Sequence, residues 1–292
     1  MSKRMPPAAL VVALLATILP AVPAGAEPGY AWRGGARGGD TLASRIAPPP
    51  GFARPAVAPA SFAAWLRGLP LKPAGASVLL HTGAPKPRQD VHVSVIDIDV
   101  GPRDLQQCAD AIMRLRAEWL FASGRPGDIA FNDTGAGKPI AFARWAAGER
   151  PQMSGRAVAW SRSAQPDAGY ASFRRYMDVV FTWAGTYSLE RELVAKPIAE
   201  LAAGDLFIKG GFPGHAVLVA DVAESPGDGR APLPARAELH ARPGDARAEE
   251  PRQCRRLALV SPGLRRPARH PGVDLSARKL TEVEAPVGRN RR

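Results

Sequence analysis

Cys108 stands in Asp104-Leu-Gln-Gln-Cys-Ala-Asp110, well inside a region with enough apolar residues to fold. A lone thiol in such a place is either a small buried hydrophobe or a reactive group. With Asp104 as N-cap of a helix reaching about Ala122, Cys108 falls in the first turn. Unpaired backbone N–H groups and the helix dipole favour a thiolate there. The same cysteine shares a face with Ile112, Leu115 and Trp119, at i, i+4, i+7 and i+11, so core packing stays open as the alternative. Further on, Gly204-Asp205-Leu-Phe-Ile is followed by Gly210-Gly-Phe-Pro-Gly-His215-Ala-Val-Leu-Val-Ala-Asp221. His215 opens an apolar strand directly after a glycine-rich turn, a position from which it can reach a neighbouring helix end. An imidazole there suits a general base that takes a thiol proton and later protonates a leaving amine. A histidine hydrogen-bonded at a strand edge is the bland alternative. Gln106 and Gln107 could each donate a side-chain amide to an oxyanion beside the cysteine, or could simply be solvated residues of the first turn.

Other polar positions carry less chemistry. Asp205 before its strand suits a turn, and Asp110, two residues past Cys108, is expected to face elsewhere on the helix. Arg114 and Glu118 form an i, i+4 pair worth ~0.2–0.5 kcal/mol. Arg174 and Arg175, between Phe173 and Tyr176, lie in a helix whose apolar face belongs to a core. His81 and His92 read as structural, and a zinc site from His81, His92 and His215 has no support in their spacing. No phosphate loop or dinucleotide fingerprint occurs, so no cofactor and no metal is implied.

These groups need a scaffold, and the sequence predicts one α+β domain over 61–230, with a small antiparallel sheet packed on helices. Ser61 caps a short helix carrying Phe62, Trp65 and Leu66, stopped by Gly68 and Pro70. Strands are predicted at 78–81, 91–100, 129–132, 157–161, 206–209 and 215–222. Helices are predicted at 104–122, 170–183 and 188–194. Residues 27–60, rich in Gly, Pro, Ala and Arg without apolar periodicity, read as a flexible lead-in.

The two ends of the chain set its charge. Of the formal net +12 carried by 292 residues, +7 lies in 231–292 and +2 in Lys3 and Arg4. The basic pI therefore gives no reason to expect a nucleic-acid partner for the folded middle. Lys3 and Arg4, the apolar run 8–22 and Ala24-Gly25-Ala26 read as a secretory signal, 1–26, cut after Ala26. A spanning helix would need roughly 20 apolar residues, and this run is shorter and broken by Pro20. The mature protein is therefore expected to be exported without a transmembrane anchor, periplasmic or secreted from a bacterium. After Phe212 no Phe, Trp or Tyr occurs in 80 residues, although the preceding 212 hold all 19. The stretch 231–292 reads as a basic, disordered tail, or as out-of-frame text. Back-translated with one nucleotide dropped, the codons of 237–244 yield Gln-Ser-Tyr-Met-Pro-Ala-Gln, and those of 257–262 and 271–276 become aromatic in the same frame. His240, Cys254 and His270 are then accidents, and the chain is expected to fold poorly or lack activity.

The order of motifs, cysteine at a helix start, Gly-Asp before a strand and Gly-His opening the next, resembles papain-related cell-wall hydrolases of the NlpC-like and cysteine/histidine-dependent amidohydrolase groups. Phe62-Ala-Ala-Trp65, Asp104-Leu-Gln-Gln-Cys-Ala-Asp110, Arg114-Leu-Arg-Ala-Glu118, Ala184-Gly-Thr-Tyr-Ser-Leu189 and Gly211-Phe-Pro-Gly-His-Ala216 together resemble a bacterial domain family of unknown function, number 4846. The papain-like resemblance implies Cys108 as nucleophile, His215 as base and an amide substrate such as a cell-wall peptide. The third residue it implies would sit in the Gln-Ser-Tyr stretch that only the shifted frame contains. The competing expectation is a non-catalytic envelope module, binding or structural, with Cys108 as a core thiol.

Overall fold

The computed structural model describes residues 27–225 and two further strands, 233–237 and 258–261. Helices α1 (Leu42–Arg45), α2 (Phe62–Arg67), α3 (Cys108–Ala122), α4 (Phe142–Ala146), α5 (Tyr170–Trp183) and α6 (Thr186–Glu192) surround a five-stranded antiparallel sheet and two hairpins. The hairpins pair β1 (Ala130–Asn132) with β2 (Pro139–Ala141), and β3 (Glu149–Ser154) with β4 (Ala157–Arg162). The sheet is ordered β5 (Val194–Ala195), β9 (Ala258–Ser261), β6 (Leu206–Lys209), β7 (His215–Ala223), β8 (Leu233–Ala237). The architecture is α+β, as the alternation of periods predicts.

Local chemistry explains where several elements start and stop. Ser61 Oγ accepts the Ala64 N–H at 3.2 Å, which opens α2, and Gly68 closes it. Phe62, Trp65 and Leu66 on that helix are all buried. In α5 the apolar positions Phe173, Tyr176, Met177 and Val180 recur at helical spacing, and each is fully buried. β6 and β7 pair through Leu206↔Leu218, Ile208↔Ala216 and Lys209↔His215. The period of two, shifted by one residue at a bulge between Val219 and Asp221, divides β7 between two cores. Ala216, Leu218 and Ala220 join the main core, against which α2 and α3 pack, while Val219 and Val222 join a second cluster with Leu201 and Phe207.

Helix α3 departs from expectation in two ways. It begins at Cys108, not near Asp104, because Gln107 is the extended N-cap and the Asp110 carboxylate accepts the Gln107 N–H at 3.0 Å. Asp104 lies outside the helix, 3.8 Å from the His81 ring. Buried residues also run without a break from Ala109 to Leu115, so α3 is a central helix enclosed on several sides. One apolar stripe described only part of its burial.

Two other expectations are corrected. Segments 78–81 and 91–100 are not strands. Among the described residues they contribute only the isolated bridges Leu79↔Pro85 and Leu71↔Ile96. Val91 and Val93 alternate in sequence with polar residues but are 60% and 84% exposed, since among the described residues no strand or core covers them. Residues 27–60 are packed on the domain. Tyr30 is fully buried and its hydroxyl donates to the Trp65 carbonyl at 2.9 Å. Ala53 bridges to Glu224, and Arg54 joins Arg67 in an ion pair with the buried Asp221 on β7. The aromatic and arginine residues scattered in this Gly/Pro-rich stretch supply those contacts. Within 231–292, β8 and β9 are ordinary partners in the sheet. The rest of that tail, with its expected disorder and change of frame, and the signal segment 1–26 lie outside the described residues.

Candidate functional site

The site expected from sequence lies where the start of α3 meets the start of β7. Cys108, the first residue of α3, is half-buried, and the main-chain N–H of Ala216, the residue after His215, lies near enough to lower its thiol pKa. β8 pairs with β7 only from Leu218 onward, so the first three residues of β7 have no strand on that side among the described residues. Burial pushes the Cys108 thiol above its ordinary value, the Ala216 and Ala109 N–H groups pull it back, and the Asp110 carboxyl adds to the rise. The resting sulfur is therefore a thiol, and any nucleophilic role requires a base to remove its proton.

His215 follows Cys108 into this corner by main chain but not by strand face. Its register partner is Lys209, and alternation groups its Cβ with Val217 and Val219, away from the face that carries Ala216 against α3. The side chain is half-buried. It is the first residue of the strand and is preceded by Gly214.

Gln106 is deeply buried, not solvated. Its Oε1 accepts from Arg114 Nη1 at 3.3 Å, so the amide is turned into the core beneath α3. The main-chain N–H of Gln107 belongs to the Asp110 carboxylate. Asp110 is a buried neighbour of the site. It is 7% exposed, lies close enough to influence the Cys108 thiol, and burial raises its own carboxyl from 3.8 to about 7. The Gln-x-x-Asp spacing at a helix start, a variant of the capping box, is the signal that could have revealed it.

Arg114 and Glu118 are likewise not the surface pair that i, i+4 spacing suggests. Both side chains are fully buried, 2.5 Å apart. Tyr170 donates its hydroxyl hydrogen to Glu118 at 2.9 Å, and Asp99 lies 3.3 Å from Arg114. Burial works against the Arg114 charge, yet Glu118, Tyr170 and Asp99 hold it above its ordinary value, whereas burial pushes Glu118 up against the pull of Arg114. This cluster braces α3 against α5 and the 97–106 segment, and so fixes the helix that presents Cys108.

The loop that leads into His215 is clamped by α6. The Thr186 hydroxyl donates to the Gly211 carbonyl at 3.3 Å, and the Gly210 N–H donates to Glu190 Oε1 at 3.0 Å. Gly214 must be glycine here, because a Cβ would lie 2.0 Å from Thr186 Oγ1. Asp205 makes the predicted turn by accepting the Ala202 N–H at 2.8 Å, and it also binds Lys196 at 2.9 Å. His92 lies 3.2 Å from the Ala76 carbonyl, far in sequence from any ligand set. Among the described residues no group of three or more His, Cys, Asp and Glu is placed to hold a metal, and no helix is long and apolar enough to cross a membrane.

The chain belongs to the family described as "Domain of unknown function (4846)", whose model matches residues 42–238. No curated protein and no solved structure matches it. The family match spans α1 to β8 and so includes both corners of the site, Cys108 and His215.

Proposed function

We propose that the chain is an exported cysteine hydrolase that cleaves an amide bond, with Cys108 as nucleophile and His215 as base. The observation that carries this reading is the juxtaposition of a helix-opening cysteine with the main chain beside a strand-opening histidine. That is the order of parts found in papain-like enzymes, and it puts the cysteine in the first turn of a helix fixed by a buried ion cluster. In the reaction His215 removes the thiol proton, sulfur attacks the amide carbonyl, and the imidazolium returns the proton to the leaving amine. The Cys108 and Ala109 N–H groups at the helix start serve as donors to the resulting oxyanion. A cell-wall peptide, or another amide of the envelope, is the substrate class that fits an exported protein with no nucleic-acid footprint.

A second reading has its own support. The raised thiol and the strand face of His215 suit an envelope binding module in which Cys108 is a core residue. Iodoacetamide labelling of the folded chain between pH 6 and 9 separates the two. The hydrolase reading expects fast labelling that depends on His215 and slows in His215→Ala. Slow labelling that follows an ordinary or higher thiol pKa and ignores the His215→Ala change would sink it and leave the module. Export is tested by N-terminal sequencing of the secreted fraction, with Glu27 expected as the first residue.

A further inference from the structure

Beside the Gly210–Gly214 loop lies a cavity of about 280 Å³, bounded by the 132–137 turn on one side and by Tyr187, Ser188 and Arg191 of α6 on the other. Its walls are preformed. Asp133 is 1% exposed and its carboxylate accepts the Ala136 and Lys138 N–H groups at 2.6 and 2.7 Å, which locks the turn. Gly135 approaches the Arg156 carbonyl so closely that a Cβ would lie 2.4 Å from it. Into this rigid setting Arg191 brings a guanidinium that no carboxylate pairs among the described residues, with its carbon 4.2 Å from the Tyr187 ring centroid. Tyr187 in turn lies 6.2 Å from the ring of Phe212, which is 84% exposed in the loop leading to His215.

We propose that this cavity and the Phe212 ledge form a subsite for a peptide ending in a free carboxylate, bound through Arg191. The proposal rests on the amide-hydrolase reading, since Phe212, beside Tyr187, lies in the loop that leads into His215. A carboxylate supplies a charged partner for the exposed Arg191 guanidinium at the cavity edge. The exposed Phe212 ring offers an apolar surface to the preceding side chain. One unpaired cation, beside an Asp133 carboxylate already spent on main-chain N–H groups, matches a monoanion better than a phosphate dianion.

The test is calorimetric titration of the full chain carrying Cys108→Ala, so that binding is read without turnover. The probes are N-acetyl-L-alanyl-L-alanine with a free carboxylate, the same dipeptide as its carboxamide, and inorganic phosphate. The free acid is expected to bind at least tenfold tighter than the carboxamide. Arg191→Gln should abolish that preference, Arg191→Lys should keep part of it, and Phe212→Ala should weaken both peptides alike. Equal binding of acid and amide, an undiminished preference in Arg191→Gln, tighter binding of phosphate than of the acid, or no binding of either peptide would each overturn the proposal. A Cys108 that fails to label while the carboxylate preference stands would refute the hydrolase alone and leave the subsite.

Discussion

Asp110 offers a quantitative test of how α3 is built. Its carboxyl is 7% exposed, one oxygen accepts the Gln107 N–H, and the other has no partner among the described residues. Burial raises it from an ordinary 3.8 to about 7. The folded state therefore keeps a proton that the unfolded chain releases near pH 4. Between about pH 4 and 7 the native state binds more protons, so this group's contribution is full below about pH 4 and declines with rising pH until about 7, then stays flat. At ~1.36 kcal/mol per pKa unit the whole swing is about 4 kcal/mol. Asp110→Asn removes the ionisation while keeping an acceptor for Gln107. Urea unfolding of the wild type and the variant at half-unit steps from pH 4 to 8 isolates the effect, since every other titrating group cancels in the difference. The variant should gain on the wild type by up to ~1.4 kcal/mol for each pH unit from about 4 to 7, with no further gain above that. The same substitution should lower the Cys108 thiol pKa above pH 7, where it removes a neighbouring anion. A stability difference that stays constant across the range would refute the buried, proton-holding Asp110, and with it the account of how the helix start is capped.

The buried pair beneath α3 makes a second prediction. Glu118→Gln should cost about 3–5 kcal/mol in urea unfolding by leaving Arg114 only the more distant, exposed Asp99 as a carboxylate partner, whereas Arg114→Met with Glu118→Leu should recover most of it. An equally damaging double variant would contradict the pairing. Gly214→Ala should lose roughly 1–3 kcal/mol through its collision with Thr186, and Thr186→Ala should rescue only part, because the Gly211 and Lys209 carbonyls also crowd the new methyl at 2.6 and 2.9 Å. Full rescue would mean that the loop is not held by main chain. Resequencing codons 225–292 should reveal one surplus nucleotide. A repaired chain should then melt cooperatively and more stably than the present one, while an unaltered reading would make the aromatic-free tail genuine.

Sequence alone determined the parts whose causes are local. The Ser61 cap and Gly68 stop define α2, a 3.6-residue apolar period defines α5, and the Gly210–Gly214 turn with its flanking apolar runs defines β6 and β7. The motifs also sufficed to place the chain in its family and to put Cys108 in a first helical turn. What only the tertiary structure decided depends on neighbours distant in sequence. Arg114 and Glu118 look like a surface pair until Gln106, Asp99 and Tyr170 close over them. Val91 and Val93 alternate like a strand, but a strand needs a partner to hold it. Tyr30, Arg54 and Ala53 lie in a stretch whose composition reads as flexible, yet Trp65, Asp221 and Glu224 are there to receive them. The separation of His215 and Ala216 onto opposite faces of β7 is of the same kind. Sequence says which residue opens the strand, and only packing against α3 says which face the helix takes.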